Sequence, residues 1–380
     1  MSTKTRTTAG LAVLAALLIT LAAAAAQEPT SLKEAYKNAF VVGAAINALQ
    51  ITGQDRRGDA IIEAQFNSIS PENVLKWENV HPAPGTYSFE VPDQYVAYGE
   101  KHHMFIVGHC LVWHSQVPAW VFRDEKGSFV DRETLLKRMH DHIQTVVGRY
   151  KGRIQSWDVV NEALNEDGTL RQSSWMKIIG EDYIAKAFQY AHEADPQAQL
   201  TYNDYSLENE AKRKGALALI TRLKAAGIPV TSVGLQGHLG LQGPSVETED
   251  DTISDFAKLG VKVVISELDI DVLPPATQQQ TADVSLKVEQ DAKLNPYANG
   301  LPQSVQQELA KRYADLFGVF SKHRDVVTRV TLWGVTDADS WRNNWPVKGR
   351  TSYPLLFDRS GQPKLAFQAV IRVGANTKTE

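Results

Sequence analysis

The heptapeptide Ser156-Trp157-Asp158-Val159-Val160-Asn161-Glu162 indicates the fold class, because a mostly apolar, β-branched run ends in two polar residues. A short run of this kind is typical of a strand in a parallel sheet that is buried on both faces. Seven further runs along the chain share this character. Together they predict eight strands, at residues 40–45, 66–70, 104–113, 156–161, 199–205, 230–236, 261–270 and 327–335.

Segments with helical periodicity separate most of these strands. They span residues 132–150, 178–194, 211–226 and 302–322, and Asp195-Pro196 and Gly227 mark two of their ends. Eight strand–helix units in roughly 350 residues favour an α/β fold, a single-domain (β/α)8 TIM barrel. An open doubly wound sheet fits less well, because the first strand leads into Gly43-Ala44-Ala45-Ile46-Asn47 without a GxGxxG turn.

The composition excludes several classes of protein. In 380 residues, 40 Lys and Arg stand against 44 Asp and Glu, and this net charge of −4 argues against a partner that is a nucleic acid. The 43% of hydrophobic and 22% of charged residues are ordinary for a globular protein and exclude a disordered or collagen-like chain. The single cysteine, Cys110, excludes an internal disulfide, so the core must stabilise the fold.

The first 26 residues differ from the rest and are interpreted as a secretory signal peptide. Lys4 and Arg6 precede an apolar stretch at residues 11–21, and the alanines at 22–26 are small residues that signal peptidases accept. A membrane anchor is the alternative, but the apolar stretch is short for a span of about 20 residues. We expect cleavage near residue 26, export to the periplasm or the medium without membrane attachment, and a monomeric mature chain of residues 27–380.

Two glutamates stand at the ends of predicted strands. Glu162 closes the fourth strand, and Glu267 lies in the seventh, two residues before Asp269, so that the side chains of Glu267 and Asp269 face the same side. In a (β/α)8 barrel the functional side chains lie at the carboxyl ends of the strands. A structural ion pair would explain either glutamate alone. Two carboxylates over one cleft are typical of glycoside hydrolysis, in which one attacks the anomeric carbon and the other protonates the leaving oxygen.

The other strand ends carry the polar and aromatic side chains that a hydroxyl-rich ligand requires. These candidates are Glu72, Asn73, Lys76, His109, Trp113, Gln116, Asn161, Tyr205, Gln236, His238, Trp333 and Trp341. Burial in the core is the alternative for any single tryptophan or histidine among them. A catalytic metal is not expected, because no His-x-His follows the first strand, and His140 and His142 are two residues apart in a helical segment and do not face each other.

These residues occur in motifs that resemble those of family 10 glycoside hydrolases, the endo-1,4-β-xylanases. The resemblance covers residues 40–370, essentially the whole mature chain. Its motifs are Pro71-Glu72-Asn73…Lys76-Trp77, Gly108-His109…Trp113-His114-Ser115-Gln116, Trp157-Asp158-Val159-Val160-Asn161-Glu162, Gln236-Gly237-His238, Ser266-Glu267-Leu268-Asp269 and Trp333-Gly334-Val335-Thr336-Asp337. The resemblance implies endo-acting, retaining hydrolysis of xylan and xylo-oligosaccharides without a cofactor, with Glu162 as acid/base and Glu267 as nucleophile.

The resemblance also implies roles for the neighbouring residues. Asn161 would bind the 2-hydroxyl of the sugar that is cleaved, and His238, oriented by Asp269, would hydrogen-bond the nucleophile. Two strand-eight tryptophans would crowd C5 of the sugar and favour xylose over glucose. The glycone subsites would be lined by Glu72, Asn73, Lys76, His109, Trp113, Gln116, Tyr205, Gln236, Trp333 and Trp341.

The sequence departs from the family pattern at two places. Cys110 stands where Thr is usual, and we expect a small buried side chain there without loss of activity. Val74-Leu75 replaces the more usual Glu-Met, which is expected to alter hydrogen bonding in the second glycone subsite.

Three other functions stay open at this point. They are a barrel glycosidase that acts on β-1,4-glucan or mixed substrates, a sugar-binding protein without catalysis, and a metal-dependent hydrolase. Residues 273–301, which follow the seventh strand and are rich in Pro, Gln, Thr and Asn, are expected either to border the substrate groove or to form a solvated insertion.

Overall fold

Eight parallel strands close into one barrel, which confirms the predicted (β/α)8 fold. In this computed structural model, residues 30–277, 281 and 283–376 are described, and the predicted signal peptide at residues 1–26 lies outside them. The ring closes where the first strand pairs with the last and where β6 pairs with β8. The strands are β1 Val41–Ile46, β2 Ser68–Pro71, β3 Phe105–Val112, β4 Ser156–Asn161, β5 Gln199–Asp204, β6 Ser232–Leu235, β7 His238–Gly240, β8 Lys262–Asp271 and β9 Val327–Leu332.

All eight predicted strands are present, and most differ from their predicted bounds by only a few residues. The three-residue β7 was not predicted; it lies outside the ring and pairs with the end of β8, where His238 is opposite Asp269. A three-residue strand has too little periodicity to be seen in a sequence.

Helices connect the strands on the outside of the barrel. They are α1 Leu32–Ala35, α2 Ala48–Ile51, α3 Arg56–Gln65, α4 Trp77–Val80, α5 Glu90–Lys101, α6 Arg132–Arg149, α7 Ser174–Ile178, α8 Tyr183–Ala194, α9 Glu210–Ala225, α10 Val246–Lys258, α11 Gln303–Lys322 and α12 Leu365–Asn376. Short 3₁₀ turns occur at Ala119–Val121, Ala292–Leu294 and Trp341–Asn343. Within the described residues, no helix is both long and apolar enough to cross a membrane.

Three of the four predicted helices are confirmed as α6, α9 and α11. The fourth prediction, a single helix over residues 178–194, is wrong at its start. The chain there forms two helices, α7 and α8, with Gly180 between them at a φ of +96°. Such a φ lies outside the helical region, so the two helices cannot be continuous.

Close packing between β3 and β4 fixes the wall that carries the site. Gly108 pairs with Trp157, whose side chain is fully buried. A Cβ atom at residue 108 would lie 2.1 Å from Cε3 of the Trp157 ring. Glycine is therefore required at residue 108 for this tryptophan to fill the core.

A buried pair of histidines supports the segment that leads from Lys76 into α4. Nδ1 of His81 lies 3.2 Å from Nδ1 of His142, which belongs to α6. The His142 ring stacks on Trp77 at 3.6 Å between centroids, and the His81 ring stacks on Tyr87 at 3.9 Å. Burial lowers the pKa of His81 to about 4, and burial together with the nearby His81 lowers the pKa of His142 well below its ordinary value.

These neutral histidines predict that the fold loses stability in mild acid. Both imidazoles accept protons near pH 6.5 in the unfolded chain but only at lower pH in the native protein, so the unfolded state binds more protons between these values. As the pH falls below about 6.5, both histidines should lower the free energy of unfolding, each by at most about 1.4 kcal/mol per pH unit. The replacement His142→Gln should flatten the pH dependence of the Tm in this window.

Thermal melts between pH 4 and 8 test this, with His140→Gln as the matched control. His140 lies on the same helix with 42% of its side chain exposed, and its replacement should leave the slope unchanged. An unchanged slope in His142→Gln would contradict the prediction.

Candidate active site

The backbone at the end of β4 turns so that the Glu162 side chain faces the groove. Glu162 has a φ of +56°, a left-handed conformation that costs free energy for a residue with a side chain. Two hydrogen bonds hold it there: the Glu162 N–H donates to the carbonyl of Asn203 (2.9 Å), and Arg171 Nε donates to the carbonyl of Glu162 (3.0 Å). The neighbouring strand and loop thus stabilise the strained turn.

The Glu162 carboxylate is buried and accepts hydrogen bonds at both oxygens. Trp113 Nε1 donates to Oε2 (2.8 Å), and Gln236 Nε2 donates to Oε1 (3.0 Å). His114 Nδ1 lies 4.0 Å from Oε2. Side chains that directly follow β3 and β6 therefore fix its position.

The Glu267 carboxylate, on β8, also accepts at both oxygens. Asn203 Nδ2 donates to Oε1 (2.7 Å), and His238 Nε2 donates to Oε2 (3.2 Å). Burial by itself would raise the pKa of Glu267, but the bond from His238, the nearby His109 and the bond from Asn203 outweigh it. The net pKa of Glu267 lies below its ordinary value, which favours the ionised form.

Asp269 holds His238 in its charged form. His238 donates from Nδ1 to Asp269 Oδ1 (2.9 Å), and Asp269 also accepts from Arg342 Nη2 (2.8 Å) and from Trp341 Nε1 (2.7 Å). Burial alone would lower the pKa of His238, but Asp269 and Glu267 raise it to about 9. Burial would raise the pKa of Asp269, yet Arg342 and His238 hold it well below its usual range. The predicted shared orientation of Glu267 and Asp269 is confirmed, because both contact His238.

Two side-chain amides connect the carboxylates. Asn203 Nδ2 donates to Asn161 Oδ1 (3.0 Å) as well as to Glu267, and Asn161 Nδ2 lies 3.4 Å from Glu162 Oε1. Gln236 Nε2 also lies 3.3 Å from Asn161 Oδ1. Because Asn203 and Gln236 both present N–H donors to this position, the Asn161 atom there is the acceptor oxygen and not the amide nitrogen. The Asn161 side chain is therefore fixed next to both carboxylates.

The polar residues that follow β2 and β3 form a second cluster. Lys76 Nζ donates to Asn73 Oδ1 and Gln116 Oε1, both at 2.9 Å, and lies 5.1 Å from the centroid of the Trp113 ring. Burial raises the pKa of Glu72, and the charge of Lys76 opposes that shift. These side chains supply both charged and neutral hydrogen-bonding groups next to an aromatic face.

Aromatic side chains from the last strand and the loop after it cover the catalytic end of the barrel. The His109 ring meets Trp333 edge-on at 5.3 Å, and its Nδ1 is 2.9 Å from Asp158 Oδ2. Trp341 stacks on Trp345 at 4.9 Å, so its ring is fixed both by this contact and by its bond to Asp269. Next to His109, Cys110 is buried as expected.

One groove, with a cavity volume of about 910 Å³, brings the predicted residues together. Asp269 lies behind His238 and is fully buried. The predicted residues that line the groove are Glu72, Asn73, Lys76, His109, Trp113, Gln116, Asn161, Glu162, Tyr205, Gln236, His238, Glu267, Trp333 and Trp341.

The strand order divides these residues into two groups. Glu162 directly follows β4, and Glu267 lies within β8. The line between them leaves β9, β1, β2 and β3 on one side and β5 and β6 on the other. Tyr205 follows β5 and Gln236 follows β6, so both differ in position from the other residues that were expected in the glycone subsites. Sequence motifs give the strand of each residue but not its place around the ring relative to the carboxylates.

The segment after β8 borders the groove, which confirms the first of the two expectations for residues 273–301. Val288 N–H donates to the carbonyl of Pro346 (2.9 Å), and Asn295 Oδ1 accepts from the N–H of Thr351 (3.0 Å). The segment is thus attached to the loop that follows β9. Its described groove residues are Leu273, Pro274, Pro275, Ala276, Thr277, Thr281, Val284 and Tyr297.

The sequence did not single out Asn203 or Arg342 as functional residues. Asn203 lies on β5 two positions before Tyr205, which directly follows that strand, and in an extended chain this spacing places side chains on the same face. Arg342 follows Trp341 directly, but nothing in the sequence pairs it with Asp269. Among the described residues, no group of three or more His, Cys, Asp and Glu side chains could hold a metal ion.

Comparisons with known proteins agree with this geometry. The sequence model of glycosyl hydrolase family 10 matches residues 31–373. The chain is 43% identical over 357 residues to an endo-1,4-β-xylanase A of Xylanibacter ruminicola, and the match covers 94% of this chain and 96% of that relative.

Solved structures show the same fold. A GH10 endoxylanase retrieved from sugarcane soil metagenome superposes with a TM-score of 0.88 at 48% identity, covering 90% of this chain and 100% of the other. A mutant structure in complex with xylotriose has a TM-score of 0.81 at 36% identity and covers 90% of this chain and 99% of its own. With the family's sequence pattern, its fold and a matching groove all present, this chain belongs to glycosyl hydrolase family 10.

Proposed function

We propose that the protein is an endo-1,4-β-xylanase that cleaves internal xylosidic bonds of xylan with retention at the anomeric carbon. The observation that carries this proposal is the pair of buried carboxylates, Glu162 and Glu267, that face one open groove in different surroundings. Glu267 contacts a cationic histidine, whereas Glu162 accepts from the neutral donors Trp113 and Gln236. Relatives named as endo-1,4-β-xylanases support xylan as the substrate.

In the first step, Glu267 acts as the nucleophile and Glu162 as the acid. An oxygen of ionised Glu267 bonds to the anomeric carbon, the bond from that carbon to the leaving oxygen breaks, and the proton of Glu162 moves to the leaving oxygen. The bond from His238 keeps Glu267 ionised beforehand. Asn161, which lies next to both carboxylates, binds the 2-hydroxyl of the sugar that is cleaved.

In the second step, water replaces the leaving sugar. Glu162, now ionised, takes a proton from this water while the water oxygen bonds to the anomeric carbon and the ester bond to Glu267 breaks. Two displacements at one carbon give net retention. The enzyme returns to ionised Glu267 and protonated Glu162 without any cofactor.

The two sides of the carboxylate line, which joins Glu162 and Glu267, correspond to the glycone and the leaving sugar of the substrate. The Lys76 cluster, His109 and the tryptophans lie on the side that the family resemblance assigns to the glycone. Tyr205 then lies on the side of the leaving sugar. On the glycone side, Trp341 is fixed by Asp269 and Trp345, so its ring is a rigid wall that would crowd a hydroxymethyl group at C5.

Export and the assembly state belong to the same proposal. Residues 1–26 would be removed as a signal peptide, and residues 27–380 would act as a monomeric catalytic domain outside the cytoplasm.

Removing each glutamate should produce a different defect. The variant Glu267→Ala should lose activity on all substrates, because no bond to the anomeric carbon can form. The variant Glu162→Ala should still react with aryl xylobiosides whose leaving groups need no proton, and should then accumulate the glycosyl-enzyme. Stopped-flow bursts and intact-protein mass spectrometry measure this, and equal losses of both variants on every substrate would contradict the assigned roles.

The early products should identify the substrate and the endo mode. Soluble glucuronoxylan should lose viscosity rapidly and release a spread of xylo-oligosaccharides, while carboxymethyl-cellulose should stay intact. Aryl xylobioside should react about 10–200 times faster than aryl cellobioside, the factor that one extra group in a tight pocket can give. Equal rates on the two glycosides would exclude the preference for xylan.

The variant Asp269→Asn should shift the pH profile. Without the Asp269 charge, the pKa of His238 falls from about 9 and the cation beside Glu267 is lost near neutral pH, so the pKa of Glu267 rises. The acidic limb of kcat/KM on an aryl xylobioside with a good leaving group should therefore move to higher pH.

The matched control is Asp271→Asn. Asp271 also contacts Arg342, at 3.3 Å, whereas the carboxylate that is bonded to His238 Nδ1 is that of Asp269. The acidic limb of the Asp271→Asn profile should keep the wild-type position. An equal shift in both variants would show that Arg342, and not His238, controls the pKa of Glu267.

A further inference from the structure

A fully buried lysine lies beneath the Tyr205 ring. Lys212, on α9, has no exposed surface, and its Nζ lies 3.3 Å from the centroid of that ring. Lysine is almost never fully buried unless its charge is paired. Here Asp204 Oδ1 lies 3.0 Å from Nζ and Glu166 Oε1 lies 3.3 Å from it, so two carboxylates fix the cation in place.

The same carboxylates and one arginine hold the tyrosine. The Tyr205 hydroxyl accepts from Arg171 Nη2 (3.2 Å) and hydrogen-bonds Glu166, while its backbone N–H donates to Asp204 Oδ1 (3.0 Å). Glu166 and Asp204 thus contact both the cation and the tyrosine. The ring is fixed at its hydroxyl, at its backbone and, through Lys212, at one face.

We infer that Lys212 is a positioning residue for the leaving part of the substrate and acts through Tyr205, an inference that rests on the proposed function. A cation at one face of an aromatic ring attracts the ring and restrains its rotation. Tyr205 itself lines the groove, on the leaving-sugar side of the line between Glu162 and Glu267. Because the ring is already immobile in the free enzyme, binding of the leaving sugar does not have to lower its conformational entropy.

A purely structural role for Lys212 gives a different result. If the lysine only neutralised Asp204, its loss would lower the Tm and reduce all activities by the same factor. If it positions Tyr205, its loss affects only substrates that place a sugar on the leaving side. The two roles therefore differ in a ratio of activities and not in stability.

The test compares Lys212→Met with the wild type on two substrates. Xylotetraose places sugars on both sides of the carboxylates. In β-xylobiosyl fluoride the two sugars fill the glycone side only, and the leaving group is a fluoride ion. The ratio of kcat/KM for xylotetraose to kcat/KM for the fluoride should fall roughly five- to tenfold, less than the hundredfold that a misplaced group can cost. Transfer of xylobiose from the fluoride to added xylobiose should fall by a similar factor.

Lys214→Met is the matched control, because Lys214 lies two residues further along α9 and is largely exposed. Its ratio should equal that of the wild type. The double variant Lys212→Met with Asp204→Asn removes the cation and its closest anion together. If the single variant folds poorly, the ratio of the two kcat/KM values is measured in this double variant.

An unchanged ratio, or an equal loss on both substrates, in a folded Lys212 variant overturns the inference. A wild-type protein that is inactive on both substrates would instead overturn the proposed function. The two failures are therefore distinguishable in one set of assays.

Discussion

The chain of contacts from Arg342 through Asp269 and His238 to Glu267 is the interaction on which the rest of the site depends. A carboxylate in the centre of a barrel is unfavourable as an anion unless cations and donors surround it. Here Arg342 stabilises ionised Asp269, Asp269 stabilises cationic His238, and His238 stabilises ionised Glu267. Glu267 and Asp269 are buried, His238 and Arg342 are largely buried, and each charge has a partner of opposite sign.

This constraint also explains how the surrounding aromatic residues are placed. Asp269 has a second oxygen free of His238, and Trp341 donates to it. The residue that sets the charge of His238 beside Glu267 therefore also fixes one wall of the groove. Charge and shape at this end of the groove cannot change independently.

The sequence predicts the fold well because the strands are nearly continuous apolar runs that polar residues terminate. The same pattern identifies Glu162 and Glu267 as candidate site residues, because a carboxylate in or directly after an apolar strand is unusual. It does not identify Asn203 or Lys212, because their roles depend on contacts between strands and helices that are distant in sequence. The place of Tyr205 relative to the carboxylates likewise requires the strand order, and the break at Gly180 depends on a single dihedral angle.

The left-handed backbone at Glu162 has a consequence for the evolution of this chain. Glycine adopts a φ of +56° without the cost that a side chain imposes, so the most stable residue at this position is not the one that the proposed chemistry needs. In a descendant released from selection for catalysis, a glycine at residue 162 would relieve this backbone strain. Under the proposed mechanism, glutamate is kept at this position only while selection for turnover outweighs the backbone strain.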